Sequence, residues 1–367
     1  MTKIAIFLTS LDGGGAERVM INLAKGFAEQ GMSIDLILVK AEGPYLSQIS
    51  SKVRVIDFQK KRLLESLPKL IDYLKTERPI ALLSALEDTN VVALIAHRLA
   101  QVQTQTIVTV HNNLSRESQN ATQLKRKLSP LMVRWFYPLA NTVVSVSKGV
   151  AEDLVKIGLD SPKIHVIYNP IFTPELLKKA QEPIVEHEWF LPEQPPIILG
   201  VGRLNKQKDF PTLIHAFAKV RQHKLVRLII LGEGEEHSYL ESLVQKLGIT
   251  KDVAFPGFVP NPYAYMAHSA VLVLSSAWEG FGNVLVEAMA VGTPVVSTNC
   301  ESGPAEILAN GQYGQLVKVG DSDEMAEAIL QTITTPTDST LLQKRSRDFS
   351  LENSVSQYQK LWLTTSI

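Results

Sequence analysis

The sequence predicts an α/β protein built from two Rossmann-like, doubly wound domains that face a cleft. Three observations predict it. Short, continuous apolar runs alternate with segments of helical period, which indicates parallel sheets covered on both faces. A crowd of prolines interrupts the alternation: Pro170, Pro174, Pro183, Pro192, Pro195 and Pro196 are six of the 19 in the chain. The alternation then restarts, and 367 residues suit two domains.

In chain order, strands are expected over residues 4–9, 34–39, 53–56, 80–84, 106–110, 142–145 and 163–167, with helices over 16–30, 64–77 and 90–100 among those between them. Proline neither donates to a ladder nor continues a helix, so its cluster marks the linker. Strands then follow over 197–201, 227–231, 253–255, 271–274, 294–297 and 314–317, and helices over 211–222, 238–247, 284–290 and 322–332. A last helix covers 351–363. The expected domains are 1–180 and 181–345, with 346–367 as a carboxy-terminal segment. There is no short-period repeat and no low-complexity stretch.

Composition narrows the function. Forty-five per cent of residues are hydrophobic and 20% are charged, ample for two cores and unlike a disordered chain. Lys and Arg number 37, as do Asp and Glu, so a general nucleic-acid binder is excluded. One cysteine, Cys300, can form neither an internal disulfide nor a thiolate cluster, and it reads as inert. No apolar run approaches 18 residues, and the apolar start at 4–9 leads into glycines, so it reads as a strand and not a signal peptide. The expected location is the cytoplasm, with peripheral contact at the inner membrane face.

That contact is expected from a local surplus of charge. The first 170 residues hold 21 Lys and Arg against 15 Asp and Glu, and the remainder 16 against 22, so +6 and −6 cancel. Arg116, Lys125, Arg126, Lys127 and Arg134 face one acid, Glu117, and Trp135, Phe136 and Tyr137 follow. Residues 116–137 would place cations on lipid phosphates and rings at headgroup depth of an anionic membrane. The alternative is a solvated helix with its rings in the core.

The residues that carry chemistry lie where strands enter helices, the carboxyl edge at which open α/β sheets bind ligands. Gly13, Gly14 and Gly15 open the first helix, where a backbone can approach an anion closely. Neither a dinucleotide nor a Walker spacing is present. Gly202, Arg203 and Lys208 open the second domain, and two cations there can neutralise a diphosphate. Glu279 and Glu287 bracket Gly280, Phe281, Gly282, Asn283 and Val284 at another strand-to-helix turn. Amides at a helix start favour phosphate, and carboxylates on either side accept hydrogen bonds from diols. The layout asks for an anion between two polyols, as in a sugar nucleotide.

These blocks, with His111 after the strand 106–110, together resemble the retaining glycosyltransferases of family 4, which have the two-domain GT-B architecture. The resemblance spans nearly the whole chain, with the motifs in the family's order. It implies that Glu287 holds the ribose and Glu279 a hydroxyl of the donor sugar. Arg203 and Lys208 would hold the diphosphate, assisted by the amides of Phe281 to Val284. Gly15 would bring its amide to the β-phosphate or the transferred sugar. His111 would sit beside the sugar and acceptor, and Phe258 and Val259 would line the base pocket. The carboxy-terminal helix would cross back to the first domain. Where the family often has Asp after the histidine, this chain has Asn112.

The implied activity is transfer of a sugar, with retention, from a UDP-linked donor to a lipid-linked or polysaccharide acceptor. No cofactor and no metal are expected. Asp321 and Asp323 spell Asp-x-Asp, but they stand at a helix start, where Asp321 or Ser322 reads as a cap. A nucleotide-sugar 2-epimerase and a non-catalytic nucleotide-sugar binder are the alternatives.

Overall fold

The computed structural model describes residues 2–183 and 187–363. Residues 184–186 of the expected linker and 364–367 of the expected carboxy-terminal segment lie outside the described residues. The chain divides into two compact units, Met1–Ile171 with Ser350–Ile367, and Phe172–Phe349.

In the first unit seven strands form one sheet: β1 (Lys3–Leu8), β2 (Ser33–Leu38), β3 (Val53–Asp57), β4 (Ala81–Ala85), β5 (Gln105–Val110), β6 (Thr142–Ser145) and β7 (Ile164–Val166). Their spatial order is β3-β2-β1-β4-β5-β6-β7. The second unit has six: β8 (Ile197–Val201), β9 (Arg227–Leu231), β10 (Val253–Gly257), β11 (Val271–Leu274), β12 (Val295–Thr298) and β13 (Gln315–Val317), ordered β10-β9-β8-β11-β12-β13. The recorded strand pairings are parallel in both. Parallel strands need crossovers, and here helices supply them and bury both sheet faces. β4 is wholly buried, as are β11 and β12. Each order reverses once, between β1 and β4 and between β8 and β11. The helices leaving those neighbours depart to opposite faces, which opens a crevice at the carboxyl ends of the strands.

Helix Gly15–Glu29 buries Val19, Met20, Leu23, Ala24 and Phe27, the helical spacing of a core-facing stripe. Helix Leu351–Leu363 returns to this unit and packs on it. Phe27 meets the rings of Tyr358 and Trp362 edge-on, at 6.3 and 5.4 Å between centroids. A side chain at Gly26 would stand 2.7 Å from Val355 Cγ2, so the helices approach closely there. Ser354 Oγ adds a bond to the Tyr168 carbonyl at 2.8 Å.

Unit boundaries fall near, but not at, the expected positions. Helix Pro174–Ala180 packs against Pro262–Ala267, so the second unit begins at Phe172 and not after 180. It ends at Phe349, which stacks edge-on against Phe281 at 5.4 Å. The Phe172 amide donates to the Phe349 carbonyl at 3.0 Å, so the chain enters and leaves this unit side by side. The expected helix 64–77 is also divided. A 3-10 turn, Leu63–Ser66, precedes helix Leu67–Glu77, because Pro68 suits a first turn.

Replacing Phe27 by Ala should destabilise the first unit by about 3–5 kcal/mol, the usual cost of deleting a fully buried ring. Urea unfolding read by amide exchange in β1 and β2 checks this; an unchanged midpoint would refute the packing role of the returning helix.

Candidate functional site

The loops leaving β8 and β11, the reversal point of the second sheet, are tied together. The Ala277 amide donates to the Gln207 carbonyl at 2.8 Å, and Gln207 Nε2 donates to the Trp278 carbonyl at 3.1 Å. Ser275 Oγ donates to the Lys208 carbonyl at 2.7 Å. This bracing brings two of the expected residues into contact: Lys208 Nζ donates to Glu279 Oε1 at 2.5 Å. Ser276, fully buried, donates to the same oxygen at 2.6 Å. Glu279 is only 6% exposed, so a carboxyl group stands inside the protein with a cation and a hydroxyl on one oxygen. Nearby Cys300 has its thiol pushed up to about 12, first by burial and then by the charge of Glu279, which leaves it protonated and unreactive.

Arg203 and Gly202 sit on the same loop as Lys208, and Arg203 is exposed. The loop rests on the turn after β9: the Leu204 amide donates to the Glu233 carbonyl at 2.8 Å. Gly232 faces it at φ +134°, and a Cβ there would lie 2.0 Å from the Gly202 carbonyl oxygen, so no other residue fits.

Glu287 lies in helix Asn283–Ala290, which begins immediately after the glycine turn and is buried along most of its length. Glu287 itself is 6% exposed. The chain through Gly280, Phe281 and Gly282 is pinned by the segment after β12. A Cβ at Gly303 would sit 1.9 Å from the Phe281 carbonyl oxygen, and Gly303 also has φ +94°. Phe258 and Val259 follow β10 directly, and Phe258 is exposed.

In the first unit the reversal point is occupied by the glycine turn. Gly14 is the N-cap residue of helix Gly15–Glu29. Tyr45 braces the turn: its hydroxyl donates to the Gly13 carbonyl at 3.0 Å and accepts from Arg18 Nη2 at 2.7 Å. His111 leaves the end of β5. Thr109 Oγ1 gives its proton to the Ser84 carbonyl at 2.9 Å, so toward His111 Nε2, also at 2.9 Å, it can only accept. The imidazole proton is therefore on Nε2, and Nδ1 is the acceptor. Burial pushes His111 down to about 4, so the ring is neutral near pH 7. Asn112 Nδ2 donates to Glu117 at 2.7 Å.

The 116–137 stretch folds as helices Leu114–Asn120, Leu124–Lys127 and Ser129–Phe136. Two of its expected surface rings separate. Trp135 is 68% exposed, whereas Tyr137 is fully buried and accepts a 2.7 Å bond from Asn90 Nδ2. Tyr137 therefore cannot sit at headgroup depth; its hydroxyl satisfies a buried amide instead. Leu124, Leu128 and Leu131 are exposed as well, spread with Trp135 over two short helices and the residue between them. Lys125 pairs with Asp88, and Arg126 lies 3.5 Å from Glu117. No helix among the described residues is long and apolar enough to cross a membrane. Asp321 caps helix Ser322–Thr334, accepting from the Asp323 and Glu324 amides. No cluster of potential metal ligands occurs among the described residues.

Ser276, Gln207, Tyr45, Thr109 and Gly303 join the two sites only in the fold. Only Gly303 carried a signal, the Gly-Pro pair that opens helix Pro304–Ile307. The others hold site residues through contacts that exist only once strands are paired.

Residues 13–173 match the family model of glycosyltransferase family 4, and residues 182–349 that of glycosyl transferases group 1. The chain is 30% identical over 352 residues to N-acetylgalactosamine-N,N'-diacetylbacillosaminyl-diphospho-undecaprenol 4-alpha-N-acetylgalactosaminyltransferase of Campylobacter jejuni, covering 90% of this chain and 89% of that protein. It is 28% identical over 353 residues to the lipopolysaccharide core biosynthesis glycosyltransferase LpsE of Rhizobium meliloti, covering 95% of each. Among solved structures, Anabaena HepE in complex with UDP-glucose superposes with a TM-score of 0.81 at 23% identity, over 99% of this chain and 100% of that one. Sucrose-phosphate synthase from Thermosynechococcus elongatus gives 0.82 at 22% identity, over 99% of both. These structures establish the GT-B fold. With its two halves matched in turn and a relative alike along 89% of that relative's length, the chain belongs to the glycosyltransferases and is a transferase enzyme.

Proposed function

We propose that the chain transfers a sugar from a UDP-linked donor to a lipid-linked glycan, with retention and without a metal ion. The observation that carries this reading is the Lys208–Glu279 contact at the β8/β11 reversal point. It sets a cation for phosphate beside a carboxylate for hydroxyls, the two chemistries that meet where a sugar joins a diphosphate. The lipid-linked acceptor is suggested by the Campylobacter relative, whose name specifies a diphospho-undecaprenol substrate. The UDP donor is supported by HepE, solved with UDP-glucose.

Breaking the anomeric bond leaves negative charge on the diphosphate. Arg203 and Lys208, with amides from Phe281 to Val284, meet that charge, and each such donor is worth on the order of 10²–10³ in rate. No Lewis acid is called for in this scheme. Glu279 accepts from the donor sugar and Glu287 from the ribose, while Phe258 and Val259 flank the base. Gly14 and Gly15 offer close backbone approach to the β-phosphate or the sugar. His111, neutral and proton-bearing on Nε2, offers Nδ1 to a hydroxyl and serves in positioning. With Asn112 in place of an acid, the departing phosphate takes the acceptor proton.

The lipid carrier of such an acceptor brings the enzyme to a bilayer. Leu124, Leu128, Leu131 and Trp135 are exposed apolar side chains among Lys125, Arg126, Lys127 and Arg134, a composition that suits contact with an anionic interface.

A thermal-shift screen of nucleotide sugars tests the donor: UDP-sugars should raise the unfolding temperature, and a response to other nucleotides alone would refute the UDP assignment. Lys208→Met should reduce transfer by about 10²–10³-fold, and Glu287→Gln should act mainly on donor KM; radiolabelled transfer to a polyprenyl-diphosphate glycan reads both. Trp135→Glu should abolish sedimentation with phosphatidylglycerol vesicles at low salt, and wild-type protein left in the supernatant would end the membrane reading. An unfolded histidine titrates near 6.5, about the usual value, and His111 at about 4. Between those values the unfolded chain binds the extra proton, so stability present above them falls as pH drops. His111→Gln should flatten that loss, as read by urea midpoints from pH 7.5 to 4.5.

A further inference from the structure

In the second unit the ammonium of Lys208 is already engaged. It donates to Glu279 Oε1 at 2.5 Å, with both side chains largely out of solvent. The carboxylate does not depend on that lysine for its position, because Ser276 Oγ holds the same oxygen at 2.6 Å. Ser276 is held in turn, its carbonyl accepting from Thr298 Oγ1 at 2.6 Å. Lys208 has its own anchor, the bond from Ser275 Oγ to its carbonyl. Cation and anion are thus anchored by two consecutive serines of the β11 loop, through different bonds, and meet at one oxygen.

This has a consequence for what binds. A diphosphate reaching Lys208 shares its single positive charge with Glu279, and the two anions repel at short range. A sugar attached to the diphosphate relieves the repulsion, since its hydroxyls donate to the carboxylate. A bare diphosphate supplies only charge, so Glu279 faces it with Ser276 as its remaining donor.

Resting on the donor role assigned to these residues, we propose that Glu279 discriminates the intact sugar nucleotide from the bare nucleoside diphosphate and drives product release by reclaiming Lys208 once the sugar has gone. Lys208 is then a shared cation that alternates between phosphate and carboxylate, and Ser276 keeps the carboxylate in place while the lysine is away.

Calorimetric titration of the full chain with UDP and, separately, with inorganic diphosphate tests this. Glu279→Gln keeps the shape and removes the charge, and should bind both ligands at least about tenfold tighter than wild type. Glu279→Ala removes the same charge without the amide and should gain as well. In turnover, Glu279→Gln should be slower and more strongly inhibited by accumulated UDP. Equal or weaker binding of both ligands by both variants overturns the proposal, because Glu279 would then be orienting Lys208 and not competing for it. Inorganic diphosphate separates this failure from failure of the donor reading. If wild type binds UDP no better than inorganic diphosphate, the nucleoside assignment falls, and a gain by Glu279→Gln still upholds the exchange. Absence of binding of either ligand to all three proteins overturns both.

Discussion

The second unit depends on keeping a lysine and a glutamate, 71 positions apart in sequence, in contact away from water. Each buried ion loses hydration worth several kcal/mol, and mutual attraction offsets this only when geometry is good and remaining lone pairs are satisfied. The surrounding structure supplies those conditions. Reversal of strand order places the β8 and β11 loops as neighbours, and Gln207, Ser275 and Ser276 join them. Glycines at 232 and 303 let adjoining backbones press against this frame where a methyl group would collide. Much of the local architecture can be read as the cost of bringing one charge pair together.

The first unit meets a different requirement. Its carboxyl edge carries a histidine whose proton is assigned by a threonine, which is assigned by a strand carbonyl. The chain of donors ends in an imidazole that accepts and does not change charge near neutrality. Tyr45 and Arg18 fix the glycine turn in the same manner, with side chains from outside the turn. In both units the residues proposed to meet ligands are held by residues to which no ligand role is assigned.

Much of this was legible in the sequence. The apolar runs that alternate with helical segments announced both sheets, because a parallel strand buried on two faces has no polar positions to confuse the pattern. Lys208, Glu279 and Glu287 stand out because they flank glycine-rich strand-to-helix turns, in an order that resembles a known family. The remainder was hidden for physical reasons. Ser276 and Gln207 are ordinary residues whose roles arise only from strand order. Tyr137 follows Trp135 in an aromatic run, yet a buried amide on Asn90 draws it inward. The first compact unit ends at Ile171 where 180 is expected, because prolines mark where helices and strands stop, not which core a helix such as Pro174–Ala180 joins.

The returning helix at 351–363 has a consequence during synthesis. The face of helix Gly15–Glu29 that carries Phe27 emerges from the ribosome long before its cover is made. The second unit, contiguous from 172 to 349, can complete its core in the interval. The nascent amino-terminal half must therefore carry an uncovered greasy groove through most of elongation, a period in which chaperones or premature association compete for it.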